Sequence, residues 1–89
     1  MNNTINIEHQ LSQLNNSIRN YCIGSTVANI RNKLGLSLDD VAYRLNILPS
    51  ELALYENGDK ELTPVILFNL SSIFDVKISD FFVLLEDSL

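Results

Sequence analysis

The side chains able to do covalent or metal chemistry are few and scattered. His9 is the one histidine and Cys22 the one cysteine of the 89 residues. A zinc site draws its ligands from several such groups, so none can be assembled, and one thiol forms no internal disulfide. Asp39 and Asp40 are adjacent carboxylates. Standing just after Ser37, they read as charges at a helix N-terminus, where they offset the helix dipole, and not as a proton-sharing dyad. No glycine-rich phosphate loop and no nucleophile elbow occurs. The expectation is a protein that is not an enzyme and holds neither metal nor cofactor. The net charge of −5 also runs against a partner rich in phosphate, which usually meets a basic surface.

The elements that carry these residues are helical. At 10.0 kDa the chain fits one domain. Its 46% apolar and 19% charged residues suit a folded core. Three glycines and two prolines are too few for a turn-rich all-β fold. No stretch is apolar enough to span a membrane, and the Asn-rich start lacks the basic-then-apolar order of a signal peptide. These features, with the lone cysteine, imply a cytoplasmic location.

From Asn6 to Cys22, Ile7, Leu11, Leu14, Ile18 and Tyr21 recur at spacings of 4, 3, 4 and 3, one apolar stripe on a helix. The stripe either docks on the chain's own core or, being heptad-like, forms a dimer seam. A second helix, Ser25–Leu34, ends at Gly35. Ser37, with Asp40 three residues on, starts the next as a variant capping box. Asn46 stops that helix in the left-handed conformation. Pro49 suits the first turn of a following helix that closes at Gly58. Thr63-Pro64 repeats the cap-then-proline signal, and Ser79 or Asp80 opens a last helix. Phe81, Phe82, Leu84 and Leu85 there hold more apolar area than one helix face needs, which points to a partner chain.

Residues 23–82 resemble the Cro/C1-type (Xre-type) helix-turn-helix domain of phage repressors and bacterial regulators. The resemblance rests on Ile30-Arg31-Asn32-Lys33-Leu34-Gly35-Leu36-Ser37, on Val41-Ala42, on Leu52-Ala53-Leu54-Tyr55-Glu56-Asn57-Gly58, and on the apolar spacing of Leu67–Phe74 and Val76–Phe82. It implies an all-α, compact five-helix lambda-repressor-like domain over residues 23–89, with an added amphipathic helix over 1–22. It implies a DNA-binding transcriptional regulator acting as a homodimer on double-stranded DNA. Base-facing positions would be Leu48, Pro49, Ser50, Glu51 and Leu54, with Lys33, Arg44, Asn57 and Lys60 toward phosphates. Arg31 would pair with Glu56, and a carboxylate beside a buried Tyr55 does need such a partner. Phe81, Phe82, Leu84 and Leu85, with Leu11, Leu14 and Ile18 of the stripe, are the expected dimer contacts. The double change Phe81→Glu, Leu85→Glu is accordingly expected to give monomer.

The sequence departs from the family where bases would be read. Bidentate reading uses Arg, Lys, Asn or Gln, and this helix offers Ser50 alone among useful donors. Family members often place Gln at the start of the second helix, where this chain has Leu38. Residues 36–61 hold two basic and six acidic groups, a net −4, whereas DNA affinity comes largely from neutralising phosphates. Leu38, Leu48 and Leu54 replace polar groups on that face. Either they mark a protein contact, or some tuck between helices, Leu48 first because it adjoins Ile47. A second function class therefore stays open. It is a helix-turn-helix protein that has largely lost DNA binding and acts through protein contacts, as an anti-activator, an antitoxin-like partner or a heterodimer subunit.

Overall fold

A computed structural model of the chain describes the backbone of residues 2–82 and the side chains of residues 16–82. The elements are α1 (Asn2–Lys33), α2 (Leu38–Leu45), α3 (Pro49–Glu56), α4 (Pro64–Phe74) and a closing 3-10 turn, Ile78–Phe82. The described residues are all-helical. No helix among them is long and apolar enough to cross a membrane.

Two expectations are corrected here. The helices foreseen over Asn6–Cys22 and Ser25–Leu34 are one uninterrupted helix of 32 residues. Among the described residues the last element is a 3-10 turn, which leaves four α-helices there and not five. Gly24 sits inside α1 because of what lies across from it. A Cβ at that position would collide with the Tyr55 carbonyl oxygen and stand 2.8 Å from that of Glu56. The glycine costs the helix about 1 kcal/mol against alanine but lets α1 press directly onto the end of α3. Gly58 makes the reciprocal approach at φ +80°, its Cα facing the Tyr21 backbone. Gly24→Ala should therefore lower stability by about 1–3 kcal/mol, the usual overpacking cost, although alanine is the better helix former. A urea midpoint at or above that of the wild type would show that the two helices do not meet there.

Local signals set the remaining boundaries. The Ser37 Oγ accepts from the Asp40 N–H at 3.0 Å, and the Asp40 carboxylate accepts from the Ser37 N–H at 3.3 Å, a complete capping box. Those bonds from Ser37 hold the Asp40 carboxyl below its ordinary value, with Arg44 adding a smaller effect. The cap therefore supports the fold at neutral pH and is lost as the pH falls through the lowered value. Asn46 ends α2 at φ 59°, its N–H donating to the Ala42 and Tyr43 carbonyls. Asp75 ends α4 in the same left-handed conformation. Thr63 Oγ1 caps α4 by accepting from the Ile66 N–H.

The core lies where α1, α2, α3, α4 and the 3-10 turn converge. Val27, Val41, Ala42, Leu52, Leu70 and Phe81 are fully buried, with Ile23, Leu67 and Phe74 nearly so. Ala42 gives α2 the small surface on which α3 seats Leu52. Phe81 packs against Phe74 with ring centroids 6.4 Å apart.

Candidate nucleic-acid interface

Helices α2 and α3, joined by the short turn Asn46–Leu48, present one outward face. Its buried side anchors through Val41, Ala42 and Leu52. The outer side carries Tyr43, 87% exposed, Leu48, 70% exposed, and Leu54, 44% exposed. Ser50 is exposed too, while Pro49 and Glu51 are half-buried. The base-facing set foreseen in the sequence thus lies on one helix, at its start and one turn later.

Two details differ from expectation. Leu38 is half-buried and packs against the core, so it is no part of an exposed leucine face. Leu48, expected to tuck in first, points out. Ile47 takes the inward position beside the core. Leu48 then serves as the extended residue before α3 (φ −75°, ψ 146°), and successive side chains of an extended segment face opposite ways. Tyr43 was not foreseen at all. It stands on the outer face of α2, where no periodic signal marks a lone apolar residue. With Asn46, Ile47, Leu48 and Glu51 it borders an open groove of about 380 Å³.

The cations are arranged unevenly. Lys33, Arg44 and Asn57 are exposed. Lys60, foreseen as a phosphate contact, instead forms an ion pair with Glu51 and lies 5.1 Å from the centre of the Tyr55 ring. The hydrogen bond that Lys60 donates to Glu51 is the main cause that raises its ammonium above the ordinary value. The pair neutralises one carboxylate of the helix and occupies the one lysine of the loop after it.

Behind the face, Arg31 of α1 clamps the end of α3. Its Nε donates to Glu56 Oε2 at 2.7 Å and its Nη2 to Glu56 Oε1 at 3.0 Å. Its Nη1 donates to the Leu36 carbonyl, also at 3.0 Å. The two side chains are 13% and 8% exposed. Glu56 raises the guanidinium above its already high ordinary value. This fork fixes the end of α3 relative to α1 and the turn before α2.

The expected dimer residues separate. Phe81 is fully buried in the core, so its place at a seam is corrected. The 3-10 turn directs this ring inward and leaves Phe82 half-buried beside it. Ile18 is 51% exposed. Leu84 and Leu85 lie outside the described residues, as do the side chains of Leu11, Leu14 and His9. Val65 and Phe68 on α4 are exposed at 68% and 60%, an apolar pair not singled out in the sequence.

The helix-turn-helix family HTH_3 matches residues 27–81. Among solved structures, the chain is similar to the clp gene regulator ClgR from C. glutamicum, at 20% identity and a TM-score of 0.73. That likeness covers 80% of this chain and 92% of ClgR. It is similar to the restriction-modification controller protein C.AhdI from Aeromonas hydrophila, at 21% identity and a TM-score of 0.66, over 70% of this chain and 94% of that one. An HTH_3 family transcriptional regulator from Vibrio cholerae shares 27% identity at a TM-score of 0.69. It is covered over 38% of its length, against 75% of this chain. No curated protein sequence matches. The first two likenesses speak for the fold, and the family match spans well over half of the residues. The chain belongs to the Cro/C1-type (Xre) helix-turn-helix family of DNA-binding transcriptional regulators.

Proposed function

We propose that the chain regulates transcription in the cytoplasm, without enzymatic activity, as a homodimer that places two copies of α3 in successive major grooves. The observation that carries this reading is the outward face of α3. Ser50 and Leu54 stand free on it, while Arg31 and Glu56 hold the helix rigidly from behind. Ser50 donates to base edges, and Leu48 and Leu54 meet thymine methyl groups. Lys33 and Arg44 meet phosphates, with Asn57 as a neutral partner. Lys60 contributes little while Glu51 holds it. Affinity is then modest, and apolar contacts carry more of the selectivity than charge does.

Fluorescence anisotropy on the DNA upstream of the chain's own gene, with a scrambled duplex as control, tests the reading. Selective binding at about 50 mM salt that persists at about 200 mM is expected. In Glu51→Gln, Lys60 is released toward phosphate. Binding to both duplexes should strengthen, and the salt slope should steepen by about 0.9 per copy. An unchanged slope would mean that Lys60 does not reach the backbone.

A second reading is favoured by one observation, the groove bordered by the exposed Tyr43 and Leu48 on an acidic surface. There the same face would hold a protein partner. Equal, weak binding of both duplexes by the wild type, together with saturable binding of a partner lost in Leu48→Ser, would favour it.

A further inference from the structure

The N-terminal part of α1 precedes the stretch that matches the helix-turn-helix family. Among the described side chains, those that α1 buries begin at Ile23, and the family match begins at residue 27. A helix of 32 residues is about 48 Å long at 1.5 Å per residue. It therefore accounts for the 51 Å long axis of a molecule only 27 and 19 Å across in its other directions. Asn16, Ser17, Ile18 and Arg19 are exposed, and Tyr21 is 62% exposed. This is a projecting helix, and its sequence is a poor one for a helix on its own. Asn, Ser, Thr and Ile dominate it, and short isolated helices are marginal in water even with better formers. Such a segment gains its stability by packing.

We infer that this segment packs against the same segment of a second copy, as a parallel two-stranded seam. Ile7, Leu14 and Tyr21 fall at one core position of the heptad, and Leu11 and Ile18 at the other. Ile18 and Tyr21, the two whose side chains the structure describes, are both open to a partner. Charge selects the occupant. Residues 1–22 hold one acidic and one basic group, Glu8 and Arg19, so the whole net −5 lies on residues 23–89. Residues 1–22 therefore bring no net charge to oppose the approach of a second copy. The positions flanking the stripe, Glu8, Gln10, Asn15 and Ser17, bring one charge per helix to the seam. A parallel arrangement leaves both α3 helices at the same end of the pair, as two half-sites one helical turn apart require. In this it rests on the homodimer reading given above, and it moves the dimer contact from the C-terminal cluster to the N-terminus.

Sedimentation equilibrium of the full chain tests it. The wild type should sediment at twice 10.0 kDa, and the double variant Leu14→Glu, Ile18→Glu at the monomer mass. That variant should still unfold cooperatively in urea, which shows that its core is intact. Phe68→Glu on α4 should remain a dimer. In a Cys22→Ser background, Leu14→Cys should form a disulfide-linked dimer under mild oxidation, as partners in register allow. A double variant that stays dimeric, or a dimer lost only in Phe68→Glu, overturns the seam and leaves the homodimer reading standing. Absence of the Leu14→Cys cross-link overturns the parallel register. A monomeric wild type overturns both the seam and the homodimer, while the anisotropy experiment still decides DNA binding separately.

Discussion

Phe81→Ala should cost about 3–5 kcal/mol, the range for truncating a buried phenylalanine. The ring is fully buried and meets Phe74 across the floor of the core. It is the side chain by which the 3-10 turn closes the fold over α1 and α4. Small domains have roughly 5–15 kcal/mol to lose, so the variant should lie near the edge of folding. Its melting temperature should drop by about 12–40 °C at the 4–8 °C per kcal/mol usual for this size. Phe82→Ala, one residue on and half-buried, should cost clearly less. A Phe81→Ala chain that melts like the wild type but sediments as monomer would return Phe81 to a dimer seam. The double change Phe81→Glu, Leu85→Glu, which the sequence alone marks as a dissociating variant, should unfold the chain instead.

Why Phe81 misleads in the sequence shows where local reading ends. Phe81 and Phe82 are adjacent and chemically alike, and no spacing says which enters the core. The choice follows from the tight 3-10 geometry and from Phe74 waiting opposite. Gly24 presents the same difficulty. Along the chain it reads as a break, and only the Tyr55 and Glu56 carbonyls facing it explain why a continuous helix keeps it. By contrast, Ser37 with Asp40, Asn46, Pro49, Thr63-Pro64 and Gly58 act within a turn of themselves. Their meaning is local, and the boundaries of α2 and α3 and the start of α4 are legible from them, whereas the stop of α4 at Asp75 is not.

The recognition face was legible in outline and not in its wiring. Ser50, Glu51 and Leu54 follow from their place on α3. The Glu51–Lys60 pair does not, because it joins a helix to a loop nine residues on, outside any helical spacing. It also changes what the face can do. A lysine counted as a phosphate contact is already occupied, which makes an acidic surface poorer still in free cations. Tyr43 escaped notice for the opposite reason. Exposed aromatics follow no pattern, and this one matters only because α2 and α3 form a groove beside it.

The second large effect concerns Arg31→Ala. It removes both hydrogen bonds to Glu56 and the one to the Leu36 carbonyl. Glu56, 8% exposed, is then a nearly buried carboxylate with no counter-charge. Breaking one partner out of such a pair costs about 3–5 kcal/mol. Most of that reflects the stranded charge and not the attraction lost, so a second change should recover much of it. In a double-mutant cycle, Arg31→Ala with Glu56→Ala should be less destabilised than the sum of the single variants by up to about 3 kcal/mol. Arg31→Lys should rescue only in part, because a single ammonium cannot serve two carboxylate oxygens and a carbonyl together. The clamp also joins α1 to the end of α3, so loosening it frees the helix that carries Ser50 and Leu54. Any DNA binding should then weaken in Arg31→Ala even at temperatures where the variant remains folded. Additive single and double variants by urea denaturation would mean that the two side chains act independently. Folded Arg31→Ala that binds DNA like the wild type would mean that α3 is held in place by its apolar contacts alone, chiefly Leu52 and Tyr55.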